Sequence, residues 1–131
     1  MTTTSTGVTA PAGFLASGVE AGIKDHGGRD VALVRCVGPR CASAGVFTSN
    51  RIVAAPVTLT RAHLGAATLR AVVLNSGGAN ACTGTDGDDD ARATAQRVAQ
   101  DLGLRRDEVD RCPTGLTGER LPIERLFAGV D

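Results

Sequence analysis

The most constraining stretch of this chain covers residues 69–84, Leu-Arg-Ala-Val-Val-Leu-Asn-Ser-Gly-Gly-Ala-Asn-Ala-Cys-Thr-Gly. Its first half contains Ala71-Val72-Val73-Leu74, a short branched apolar run with the pattern of a buried strand. The run then breaks into Asn75-Ser76-Gly77-Gly78-Ala79-Asn80, small residues whose backbone a ligand or a second chain can approach closely. A strand of this kind must be covered on both faces, and the loop at its end is where many α/β proteins place ligands. The same residues would serve a plain strand-to-helix turn, and local pattern alone does not separate the two readings.

What can cover the strand follows from composition. The 131 residues suffice for one domain with a core but not for two. With three Phe and no Trp or Tyr, the core has to be built from Val, Leu, Ile and Ala packed against seventeen glycines. That favours layered sheets and helices over an aromatic platform for nucleic acid. Fourteen basic and fourteen acidic residues leave no net charge, so no global field draws in nucleic acid or an anionic membrane.

No apolar run reaches the roughly 18 residues of a membrane span, and residues 1–6 lack the basic and apolar regions of a secretion signal. A cytoplasmic location is expected, with Cys36, Cys41, Cys82 and Cys112 as reduced thiols. No Cys-x2-Cys pair offers a zinc site, and the cysteines read as small buried hydrophobes.

Taken in order, residues 1–6 read as a loose polar tail and 7–131 as the domain. Alternating apolar residues over 14–24, with Leu15, Val19, Ala21 and Ile23 on one face, predict a half-buried strand. Asp25-His26-Gly27-Gly28 is a turn, and the apolar run 30–37 completes a hairpin. A third strand is predicted at 44–48. Pro56 opens a short apolar piece, and Thr60 caps a brief helical turn through Leu64. Neither His26 nor His63 has both a carboxylate and a nucleophile nearby in sequence, and both read as exposed or packing residues.

Asp86, Asp88 and Asp90 alternate as in a calcium loop, but Ala91 and Arg97 stand where that loop needs its turn glycine and its bidentate acid. The carboxylates fit better as charge at the N-terminus of the next helix. That helix is the clearest element. Ala91, Ala95, Val98 and Leu102 recur on one face, and Gly103 supplies the stop. A helical turn near 105–109 precedes a second loop of glycines and hydroxyls, 111–119. Pro122 then opens a last helix, 123–128, closed by Gly129.

Neither small-residue loop fits a nucleotide phosphate motif. What Thr114-Gly115 does offer is a hydroxyl and backbone N–H groups able to stabilise a developing oxyanion, although a plain turn uses the same residues.

Five segments decide how these loops are read. They are Gly7-Val-Thr-Ala-Pro-Ala-Gly-Phe14, Ala44-Gly-Val-Phe-Thr-Ser-Asn50, Ala54-Ala-Pro-Val57, Val73-Leu-Asn-Ser-Gly-Gly-Ala-Asn-Ala-Cys-Thr-Gly84 and Thr114-Gly-Leu-Thr-Gly-Glu-Arg-Leu-Pro122. In this order they resemble the N-terminal part of the bifunctional ornithine acetyltransferase / N-acetylglutamate synthase family of arginine biosynthesis. The resemblance implies an α/β, layered sheet-and-helix acyltransferase fold of the N-terminal-nucleophile type, of which this chain matches the α-chain part. It also implies a precursor that cuts itself into α and β chains, freeing a threonine at the β N-terminus. That threonine takes acetyl from N-acetylornithine and passes it to glutamate through an acyl-enzyme. By resemblance, Thr114 and Gly115 match the family's oxyanion pair.

The partners so implied are the small-molecule substrates and a β chain in an αβ hetero-oligomer, with no nucleic acid, membrane, metal or cofactor. Whether acetyl-CoA also serves as donor is left open by the residues. The sequence departs from the family in lacking the self-cleavage segment and the nucleophilic threonine, and in carrying Pro113 before the Thr-Gly pair and Thr117 at an apolar position. Proline there removes one N–H and restricts Cys112, but the oxyanion donors follow it. As a separate polypeptide the chain is expected to be a truncated or split version, inactive without the nucleophile. The rival is a non-catalytic binding module of the same fold.

Overall fold

The computed structural model describes residues 7–66 and 68–130, so the predicted tail at 1–6 lies outside the described residues. The elements in order are β1 (Phe14–Val19), β2 (Val31–Cys36), α1 (Ala55–Ala66), β3 (Ala71–Asn75), α2 (Gly84–Leu102), β4 (Val109–Pro113) and α3 (Ile123–Val130). Short 3-10 turns occupy Gly7–Thr9 and Arg106–Glu108. The four strands form one sheet in the order β1-β2-β3-β4. β1 and β2 form the expected antiparallel hairpin, β2 runs antiparallel to β3, and β3 runs parallel to β4.

Register decides which residues share a face. Val31 lies opposite Asn75, Leu33 opposite Val73, and Ala71 and Val73 opposite Val109 and Arg111. The apolar members of this set join Val98 and Ala99 of α2 and Leu126 of α3 in the core. Ala71, Val73 and Val109 are all nearly inaccessible. At about 25 cal/mol per Å² of apolar surface removed from water, this layer is the main source of stability. On the opposite face, Ala32, Val34, Val72 and Leu74 are only half-buried, and Ala16 of β1 is exposed. The sheet is thus packed on one side and thinly covered on the other.

α2 follows its sequence pattern closely. Ala91, Ala95 and Val98 are buried, and Gly103 closes the helix in the left-handed conformation at φ 64°. The Leu104 N–H returns to the Ala99 carbonyl at 2.8 Å. The helix begins earlier than the apolar periodicity indicates, at Gly84, so the aspartates sit in its first two turns and not ahead of it.

Five other expectations need correction. The strand expected over 14–24 stops at Val19, because the Asp30 carboxylate draws the N–H groups of Ala21, Ile23 and Lys24 into a loop. Residues 44–48 form no strand among the described residues. Val46 is 99% exposed there, while Phe47 lies under the Arg61 guanidinium at 5.0 Å. α1 is a twelve-residue helix in which Thr60 is interior, donating its hydroxyl to the Pro56 carbonyl at 2.7 Å, and does not act as a cap. Gly129 lies inside α3 and does not close it; its bare Cα gives room for Ala21. Cys36 and Cys41 are joined in a disulfide, against the expected reduced thiols, with Cα atoms 6.3 Å apart across the turn after β2. Cys82 and Cys112 are free but exposed, not buried as expected, since one lies in the loop before α2 and the other on the open side of the sheet.

Candidate oxyanion site

β3 and β4 are the parallel pair of the sheet, so their carboxyl ends, Asn75 and Pro113, lie side by side. Open α/β sheets place their ligand sites at such ends. The loops leaving the two strands run together for several residues. The Thr114 N–H donates to the Asn75 carbonyl at 2.9 Å and the Ala79 N–H to the Leu116 carbonyl at 2.9 Å, and Gly78 bridges Leu116. The segment 111–119, read from the sequence as one loop, therefore contains the end of a strand. Proline is tolerated at Pro113 because β4 is an edge strand and Pro113 its last residue.

The glycines of the two loops are required by the closeness of this contact. Gly115 has φ 136°, and a Cβ there would lie 2.5 Å from the Gly77 carbonyl carbon and the Gly78 nitrogen. Asn80 and Cys82 take up left-handed backbone at φ 49° and 58°. For a cysteine this conformation is uncommon. Here it turns the loop into the start of α2, where the Asn80 side chain donates to the Gly87 carbonyl at 2.8 Å and accepts from the Thr83 hydroxyl at 2.7 Å.

Thr114 and Gly115, the pair singled out by sequence, are brought together with the residue 75–78 loop and are exposed to solvent. The Thr114 hydroxyl donates to the Asn75 carbonyl at 3.2 Å. That carbonyl also holds the Thr114 N–H, so rotation about Cβ–Oγ can turn the hydroxyl hydrogen to another acceptor while the backbone stays anchored. The Gly115 N–H makes no hydrogen bond among the described residues. One rotatable O–H and one uncommitted N–H thus lie on adjacent residues, which is what a tetrahedral oxyanion needs.

Beside them, Ala16, Ala32, Leu74 and Cys112, together with Arg29, Ser76 and Thr114, line a cleft of about 720 Å³ on the open side of the sheet. Arg29 makes no ion pair among the described residues.

A buried polar layer that sequence reasoning did not find supports these loops from below. Arg111 is 3% exposed and reaches the Asp90 carbonyl (3.1 Å), the Thr94 hydroxyl (3.2 Å) and the Asn75 side-chain oxygen (3.4 Å). Burial pulls its guanidinium down to about 10, still protonated at neutral pH, while Asp90 and Asp110 act the other way. Arg120 grips the buried Asp90 carboxylate through two nitrogens at 2.9 and 3.0 Å, which ties the end of the 113–120 segment to α2.

One sequence signal did point to this layer. Asp90 and Thr94 fall on the same helical stripe as Ala91, Ala95 and Val98, and polar residues on a buried stripe need partners. His63 is buried, its Nδ1 2.9 Å from the Val109 carbonyl, which makes it a packing residue of α1 against β4. The described residues contain no grouping of three His, Cys, Asp or Glu side chains able to hold a metal ion, and no helix long and apolar enough to cross a membrane.

Fold and site together define a mixed α/β chain whose two glycine-lined loops meet at the carboxyl ends of a parallel strand pair. The chain belongs to the ArgJ family, whose profile matches residues 15–131. It is 56% identical over 124 residues to the arginine biosynthesis bifunctional protein ArgJ of Thermobifida fusca, covering 95% of this chain and 32% of that protein. It is 57% identical over 129 residues to ArgJ of Mycobacterium tuberculosis, with the same coverage. A crystal structure of ornithine acetyltransferase complexed with ornithine from M. tuberculosis superposes with a TM-score of 0.92 at 56% identity, over 95% of this chain and 67% of that one. ArgJ from Bacillus halodurans gives 0.88 at 35% identity, over 94% and 64%. The chain therefore spans about a third of the length of the curated relatives it matches.

Proposed function

We propose that this chain forms the oxyanion-bearing part of an acetyltransferase of arginine biosynthesis, acting in the cytoplasm on N-acetylornithine and glutamate. Residues 7–131 would be the α-chain part of its catalytic domain, completed by a β chain that carries a nucleophilic threonine. The observation that carries the reading is the pairing of Thr114 and Gly115, one with a rotatable O–H and the other with an uncommitted N–H, beside an open cleft. Relatives named as bifunctional arginine-biosynthesis proteins support it.

In this scheme the threonine hydroxyl attacks the acetyl carbonyl of N-acetylornithine. The carbonyl oxygen becomes an oxyanion that accepts from the Thr114 hydroxyl and the Gly115 N–H. Collapse breaks the C–N bond, the proton released by the nucleophile passes to the departing ornithine amine, and acetyl remains on the threonine as an ester. The glutamate amine then attacks that ester through a second oxyanion at the same place; collapse breaks the ester C–O bond, and the proton lost by the amine returns to the threonine oxygen. Both half-reactions use the same two donors.

The test joins residues 1–131 to the remaining length of the T. fusca relative and follows acetyl transfer from N-acetylornithine to glutamate. Thr114→Ala should lower kcat by about 10²-fold with KM little changed, because the lost bond exists mainly in the transition state. Full kcat in that variant would make the loop a turn only.

A further inference from the structure

We propose that Asn75 is a positioning residue for the reaction, holding the oxyanion donors in place, and that Arg111 fixes Asn75 from below; this rests on the oxyanion reading of Thr114 and Gly115. Asn75 is the last residue of β3 and is 5% exposed, so its polar groups must be satisfied within the protein. They are spent on the two site loops. Its side-chain nitrogen donates to the Ser76 and Gly78 carbonyls at 3.2 and 3.3 Å, closing the 75–78 loop on itself. Its side-chain oxygen accepts from Arg111 at 3.4 Å, and its backbone carbonyl accepts both the N–H and the hydroxyl of Thr114. Among the described residues, no other residue of the site is bonded to both loops and to the buried layer beneath them.

The consequence for Gly115 is geometric. Its Cα rests against the Gly77 and Gly78 backbone, so the loop that Asn75 closes sets where the Gly115 N–H points. A shift of a few tenths of an ångström in Gly77 or Gly78 would carry Gly115 with it. Oxyanion donors act only when held at hydrogen-bond distance from the developing charge. Arg111 enters because Asn75 needs one rotamer to make all of these bonds. The guanidinium, itself held by the Asp90 carbonyl and the Thr94 hydroxyl, supplies a fixed donor for the amide oxygen and thereby fixes which end of the amide faces the loop.

The experiment uses the same complete enzyme and compares Asn75→Ala, Thr114→Ala and the double variant. If Asn75 acts through the donors, Asn75→Ala lowers kcat about tenfold or more while KM stays within about twofold. In the Thr114→Ala background the same substitution then costs less than about threefold, since part of what it positions is gone. A general structural defect would instead multiply through both backgrounds, or would appear in KM, and either result overturns the proposal.

Should Asn75→Ala not fold, Asn75→Asp carries the test. It keeps an oxygen for Arg111 but removes the two donors to Ser76 and Gly78, and unchanged kcat in that variant also overturns the proposal. A slow Thr114→Ala beside a normal Asn75→Ala sinks the positioning role alone. A normal Thr114→Ala sinks the oxyanion reading and this proposal with it.

Discussion

Asp30 shows how one side chain can shape two parts of a chain. Its carboxylate accepts from the N–H groups of Ala21 and Ile23 at 2.6 Å and of Lys24 at 3.1 Å, while its backbone carbonyl accepts the Ser76 N–H at 2.8 Å. Burial pushes its pKa up, but the three backbone bonds and the Lys24 charge outweigh that and hold it below the usual carboxylate value. A carboxyl whose folded pKa is depressed contributes stability above its unfolded value near 3.9, and this is lost as pH falls through the folded pKa. Asp30→Asn should cost about 1–3 kcal/mol at pH 7. The deficit should shrink below about pH 4, which urea unfolding of the complete enzyme at pH 7 and pH 3.5 would measure. Asp110 is the opposite case. Burial raises its pKa, against the Thr60 hydroxyl, the Arg111 N–H and the charges of His63 and Arg111. Its stabilising form is the neutral one, present below the unfolded pKa and lost as pH rises through the folded one. One of its oxygens has no partner among the described residues, so Asp110→Asn should be neutral or stabilising at pH 7.

The site is assembled from element ends. β4 reached the sheet despite a sequence that reads as loop, because Val109 and Arg111 face the buried side while Asp110 and Cys112 alternate to the other. Its terminal proline leaves no ladder partner unmet on a sheet edge, so Pro113→Ser, which restores an N–H, should leave kcat equal or raise it. A fall of more than about tenfold would show that the proline itself shapes the donor pair. The start of α2 is equally confined. A Cβ on Gly87 would collide with the Thr83 hydroxyl and with the Asn80 side-chain oxygen at 2.5 Å. Gly87→Ala should therefore destabilise by about 1–3 kcal/mol, despite the better helix propensity of alanine. An unchanged melting temperature would mean that the loop before α2 yields easily.

The whole molecule is finished on one face of its sheet and unfinished on the other. β1, at the sheet edge, is exposed along nearly its full length, with Leu15 57% exposed even on the packed face, and outside the sheet Val46 is 99% and Ile52 76% exposed. The apolar runs of β2 and β3 have the character of strands covered on both sides, yet Ala32, Val34, Val72 and Leu74 remain half-open. Exposed apolar surface of this kind marks an interaction face or an aggregation hazard. Residues 1–131 expressed by themselves should therefore oligomerise, aggregate or pack loosely, and should neither transfer acetyl nor cleave themselves. Calorimetry and mass spectrometry check this: a clean monomer with a sharp two-state transition, or an acetylated threonine on this chain, would contradict it.

The local sequence determined what short-range physics controls. The periodicity of α2 and its Gly103 stop, the hairpin of β1 and β2, and the buried strand at 71–74, which runs one residue further to Asn75 before emptying into a glycine loop, were all legible. The extent of β1 was not, because a carboxylate at Asp30, outside the alternating run, competes with the ladder for its N–H groups. Nor was the disulfide, since the spacing of Cys36 and Cys41 says nothing of how the chain turns after β2. The third expected strand pairs with neither edge of the sheet among the described residues, which its local pattern does not show. Above all, the contact between two loops nearly forty residues apart depends on β3 and β4 being parallel neighbours. Asn75 and Arg111, separated by 36 positions, acquire a shared task only when register places them on the same buried face. Residue type sets what each group can donate or accept; the tertiary fold sets which group receives it.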